Sequence, residues 1–116
     1  MNPKHGLSEK TVEAVRHVFL QHPEIDRAIL FGSRAKGTFK PGSDIDLALL
    51  GRNLTQKTLN RLYEKLDDLP IPYQFSLILW DKITDPDVVA HIERVGIVFY
   101  EKESIATKIP QTQKTA

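Results

Sequence analysis

Phe31-Gly-Ser-Arg-Ala-Lys-Gly37, followed closely by Pro41-Gly-Ser-Asp-Ile-Asp-Leu47, is the stretch of this chain that decides its fold. The apolar run Arg27-Ala-Ile-Leu-Phe31 ends on Gly32-Ser33, as a buried strand does when it breaks into a turn, and Arg34 to Gly37 has room for one helical turn. Pro41-Gly42 marks a loop, and a strand is expected from Asp44 to Leu50 with Gly51 closing it. Side chains alternate between the faces of a strand, so Asp44 and Asp46 are expected on one face and Ile45 and Leu47 on the other. Two neighbouring carboxylates repel unless a cation lies between them. Mg2+ takes oxygen ligands of this kind, together with waters and substrate phosphates. Ser33, with its hydroxyl and the backbone N–H groups of the turn, has the chemistry to hold phosphate oxygens, and Arg34 and Lys36 on the same turn have the charge to neutralise them. The pattern points to metal-dependent phosphoryl or nucleotidyl transfer.

Outward from this stretch the elements follow in both directions. Ser8 is placed to cap a helix whose apolar positions Val12, Val15, Phe19 and Leu20 recur at helical spacing, ending near His22-Pro23. Leu54, Leu59, Leu62, Tyr63 and Leu66 describe a second helix, capped by Asn53 or Thr55 and stopped before Pro70. Tyr73 to Trp80 is rich in strand formers. Thr84-Asp-Pro-Asp87 supplies a cap and a first-turn proline ahead of Val88 to Val95, and Gly96 follows the end. Ile97 to Tyr100 reads as a last strand, with the polar segment from Glu101 onward fraying. The fold class expected is α+β, a mixed sheet of about four strands against helices. One domain over residues 1–101 and a flexible tail over 102–116 complete this reading.

Composition limits the alternatives. A chain of 116 residues supports one core. Sixteen Lys and Arg against fifteen Asp and Glu leave a net charge of +1, far from the basic excess of a broad nucleic-acid footprint, so no direct nucleic-acid binding is expected. Without cysteine there are no disulfides and no thiolate metal sites. His5, His17, His22 and His91 lack the spacing of a zinc site. Tyr63 and Trp80 sit at apolar positions and read as packing residues. No apolar run approaches the roughly 18 residues of a membrane span or forms a signal peptide, and a cytoplasmic location is the expectation.

The two motifs, with Ile71-Pro-Tyr73 and His91-Ile-Glu-Arg-Val-Gly96, resemble the signature of the minimal nucleotidyltransferases of the DNA polymerase beta superfamily over most of residues 8–101. That resemblance implies a nucleotidyltransferase fold in which Gly32 and Ser33 bind the triphosphate of ATP and Asp44 and Asp46 bind two Mg2+ ions. The nucleotide-binding set it suggests is Gly32, Ser33, Arg34, Lys36 and Ser43, with Asp44 and Asp46 as catalytic and metal residues. It further implies a HEPN-domain ribonuclease toxin as partner, this chain being the antitoxin, and transfer of AMP to that partner; a homo-oligomer is compatible with it.

The family pattern also carries a third carboxylate in the strand after the second helix, and here Ser76 stands at that position. A serine supplies no charge, and loss of a general base costs about 10²- to 10⁴-fold in rate. Asp81 is the nearest substitute, but its parity in the strand is opposite to that of Ser76. Three functions therefore remain open: an AMP-transferring enzyme, a nucleotide-binding antitoxin with weak or no catalysis, and a small-molecule nucleotidyltransferase.

Overall fold

Ser8 starts the first helix, its side chain accepting the Thr11 N–H, and α1 runs over Glu9–Leu20. The computed structural model describes residues 5–102, so the expected tail lies almost wholly outside the described residues. Strand β1 covers Ile25–Phe31, the one-turn helix α2 Gly32–Lys36, strand β2 Ile45–Gly51, helix α3 Gln56–Asp67, and strand β3 Phe75–Leu79. Helix α4, Pro86–Val95, and strand β4, Ile97–Glu101, complete the fold.

The four strands form one mixed sheet in the order β3-β2-β1-β4. β1 pairs antiparallel with both β2 and β4, whereas β2 and β3 run parallel, joined through α3. Ile45, Leu47 and Leu49 of β2 share a core with Leu30, Leu77 and Leu79, closed by Val15, Val18 and Phe19 of α1 and by Leu59, Leu62 and Leu66 of α3. On the other face, Ile92 of α4 is buried and borders a cleft with Ile29, Leu50 and Trp80. At the β1–β2–β3 end of this face, Phe31, Asp46 and Ser76 are each half-buried and keep some exposure to solvent.

Local chemistry explains where the elements begin. Thr55, not Asn53, caps α3: its side chain accepts the Thr58 N–H while the Thr58 hydroxyl accepts the Thr55 N–H. Asn53 instead takes a left-handed backbone at φ 58°. Asp85 caps α4 through the Asp87 N–H, which puts Pro86 in the first turn, where its missing N–H costs nothing.

Four expectations need correction. β1 begins at Ile25, two residues early, because Ile25 pairs with Gly51 across a bulge. β3 is shorter than Tyr73 to Trp80: Trp80-Asp-Lys82 turn into a single 3-10 turn. Leu20 is 60% exposed at the last turn of α1 rather than in the core. Glu101 is ordered in β4, its carboxylate 2.7 Å from Arg27, and the Lys102 N–H donates to the Asp26 carbonyl.

Tyr63 does more than pack. Its hydroxyl accepts the N–H of Leu77 at 2.8 Å, occupying a donor that an edge strand would otherwise leave open to a foreign chain. At the opposite edge Arg16 Nε donates to the Phe99 carbonyl.

Candidate active site

The β1–β2 and β2–β3 registers set Phe31 opposite Asp46 and Asp46 beside Ser76. Directly paired residues on adjacent strands point to the same face, so Phe31, Asp46 and Ser76 share the face on which α4 lies. Asp44 lies just ahead of β2 and is exposed, while Asp46 is half-buried inside it. Burial, and next the neighbouring Asp44 carboxylate, hold the Asp46 pKa above the ordinary carboxylate value. Such a pair is short of positive charge, and its hard oxygens suit a divalent cation that also takes water and phosphate ligands. The donor set fits one such ion; Ser76 adds no charge for a second. Among the described residues no group of three or more His, Cys, Asp or Glu side chains converges on a metal position.

Gly32 opens α2 with φ 73°, a left-handed conformation that favours glycine. A Cβ there would fall onto Asp46 Oδ2, so only glycine lets the turn lie against the carboxylate. Ser33 follows, half-buried, and Lys36 is exposed at the end of the turn.

Arg34, expected to reach phosphate from the turn, is put to a different use. It is 2% exposed, the largest fully buried side chain among the described residues. Its Nε donates to the Ser43 carbonyl at 3.1 Å and one terminal nitrogen donates to the His5 carbonyl at 2.9 Å. The guanidinium also stacks 4.9 Å from the Phe39 ring centre and 4.8 Å from that of Tyr73. Arg34 therefore ties the N-terminal segment to the loop that delivers Asp44. Ser43 shares in this bracing: its hydroxyl accepts the Lys40 N–H at 2.8 Å and closes the Pro41-Gly42 turn.

Asp81 does not stand in for the missing carboxylate. β3 runs parallel to β2 with Leu79 beside Leu49, so Asp81 lies past the far end of the ladder, in the 3-10 turn that follows about 10 Å of strand beyond Ser76.

His91 is the residue that spacing did not reveal. It projects from α4, its Nε2 accepts the Gly32 N–H at 3.2 Å, and its ring meets Phe31 edge-on at 6.2 Å. The one sequence signal for it was its place in the His91-to-Gly96 segment of the family resemblance, which says nothing of this contact.

A mixed sheet with a glycine turn folded onto a strand-borne carboxylate, and a second carboxylate two residues earlier in the chain, is the arrangement of a nucleotidyltransferase fold. Residues 13–105 match the polymerase beta nucleotidyltransferase family, and the chain belongs to it. It is 35% identical over 79 residues to the probable protein adenylyltransferase MntA of Haemophilus influenzae, across 67% of this chain and 68% of that one. Among solved structures, a toxin–antitoxin complex with AMP-PNP matches at TM-score 0.63 and 20% identity, covering 94% of this chain and 90% of that one. A complex of tri-AMPylated Shewanella oneidensis HEPN toxin with its MNT antitoxin matches at TM-score 0.54 and 18% identity, covering 91% and 83%. At these identities the likeness to the solved structures is one of fold.

Proposed function

We propose that this chain is the antitoxin of a HEPN-domain toxin, that it binds Mg-ATP at Asp44, Asp46 and the Gly32-Ser33 turn, and that it transfers AMP to a hydroxyl of that partner: the hydroxyl oxygen bonds to the α-phosphorus, the α–β anhydride bond breaks, pyrophosphate leaves and the hydroxyl proton is released. The observation that carries this reading is the half-buried Asp46 on β2, with the exposed Asp44 just ahead of the strand and the Gly32 turn lying against the Asp46 carboxylate. The MntA relative, named as a protein adenylyltransferase, and the toxin–antitoxin complexes of the same fold support it. A bound Mg2+ would supply Lewis-acid stabilisation of phosphate charge. The chain's own part is to hold the carboxylates and the phosphate turn in fixed relation.

A second reading, favoured by one specific observation, is an antitoxin that binds nucleotide and masks the toxin with little catalysis. Ser76 sits beside Asp46, where the family's third carboxylate is expected, and brings neither charge nor a general base. The two readings separate when the protein and its co-purified partner are incubated with Mg2+ and labelled ATP. Label on the partner that disappears in Asp44→Ala supports transfer. A partner that stays unlabelled, yet is inhibited by wild type and Asp44→Ala alike, supports masking.

A further inference from the structure

The first four N–H groups of a helix have no acceptor within it, and a cap side chain at the preceding residue usually serves only the second or third of them. Helix α2 has Phe31 at that position, which forms no side-chain cap. The acceptor for the Gly32 N–H comes instead from 59 residues along the chain, as Nε2 of His91 on α4. For Nε2 to accept, the imidazole must be neutral, with its proton on Nδ1. The ring is further located by its edge contact with Phe31, the strand residue paired with Asp46. A continuous chain of contact thus runs from α4 through His91 to Gly32, and from Gly32 to the Asp46 carboxylate.

We propose that His91 is the positioning residue of this site: by accepting the Gly32 N–H it holds the turn in the left-handed conformation that lets the backbone lie against Asp46. Its consequence for nucleotide affinity rests on the function proposed above; its effect on the turn does not. Partners that orient metal-ligating groups from outside typically change metal affinity or activity by about 10- to 100-fold when lost, and an effect at the lower end of that range is expected for a bond that orients the turn against Asp46. Phe31 and the α4 core contact at Ile92 are independent of that bond, so global stability need not follow it.

The test compares wild type with His91→Phe, which keeps a ring against Phe31 but has no acceptor, and with His91→Gln, whose side-chain oxygen can accept. Amide exchange at Gly32 is followed by NMR, Mg-ATP affinity by calorimetry, and melting temperature alongside. The expected result is a Gly32 amide that is protected in wild type and exchanges at least tenfold faster in His91→Phe. Affinity should weaken by roughly tenfold in the same variant with little change in melting temperature, and His91→Gln should recover both in part. Equal Gly32 exchange in wild type and His91→Phe overturns the proposal, whatever the nucleotide does. If His91→Phe does not fold, His91→Leu against His91→Gln makes the same comparison. Protection lost in His91→Phe, in a protein that takes up no Mg-ATP, upholds the His91 assignment and refutes the nucleotide-binding reading instead.

Discussion

Gly32 rests on the Asp46 carboxylate so closely that a methyl group between them would overlap Oδ2. The antiparallel register makes this contact unavoidable: Phe31 is opposite Asp46, so the first residue beyond β1 must turn over it. A left-handed backbone at that point directs the chain into α2 instead of onward along the sheet.

Gly32→Ala should therefore be doubly disfavoured, by its positive φ and by collision with Asp46. A residue forced into this backbone region costs about 1–3 kcal/mol, and relief of the clash must displace either the turn or the carboxylate. Urea unfolding is expected to show that loss, and calorimetry a still larger loss of Mg-ATP binding. Unchanged nucleotide affinity in a destabilised Gly32→Ala would separate the turn from the site.

Ser76→Asp restores a carboxylate beside Asp46 on the same sheet face. Under the proposed function, AMP transfer to the partner should rise by about 10²- to 10⁴-fold, the usual worth of a general base. With a third acidic group and no cation the variant should melt lower than wild type, and added Mg2+ should raise its melting temperature more. A transfer rate that does not move would mean that Ser76 is not the position of the third carboxylate.

Asp46 holds its proton to higher pH than an ordinary carboxylate, first through burial and then through Asp44. The folded state thus binds that proton more tightly than the unfolded chain does, and stability falls as pH rises from about 3.8 through the folded pKa. Asp46→Asn removes this penalty. It should melt above wild type at neutral pH, with the difference shrinking as the pH is lowered toward 3.8 or below, while Mg-ATP binding is lost. Thermal melts across that range, recorded without divalent cations, make the comparison.

Arg34→Lys tests whether this cation braces the site or contacts phosphate. Lysine keeps the charge but cannot donate in two fixed directions to Ser43 and His5 while stacking between Phe39 and Tyr73. A loss of about 2 kcal/mol in urea unfolding is expected, in line with hydrogen bonds made by a buried charged group. A variant as stable as wild type but weaker in nucleotide binding would return Arg34 to the phosphate.

The elements were legible because their signals are local. Ser8 caps α1 three residues from the N–H it accepts, Thr55 does the same for α3, and the alternation of Ile45, Leu47 and Leu49 with Asp46 and Ala48 follows from the pleat alone. Trp80 was not legible as a turn residue, because the apolar run gives no sign of where the pairing with β2 stops. Leu20 falls among the apolar positions of α1, yet the core side of its last turn is taken by Val18 and Phe19 and Leu20 is turned to solvent.

By itself the sequence determined the α+β order and the glycine turn after β1, since each is written in residues a few places apart; it also put Asp44 on β2, which the structure begins one residue later at Ile45. Only the tertiary structure decided what those residues touch. Arg34 turned inward because His5, Phe39, Ser43 and Tyr73 converge on it from separate segments, and His91 reached Gly32 because α4 folds back over the end of β1. Contacts between residues as far apart as 29 and 59 positions leave no periodicity to read; they exist only once the sheet has brought their elements together.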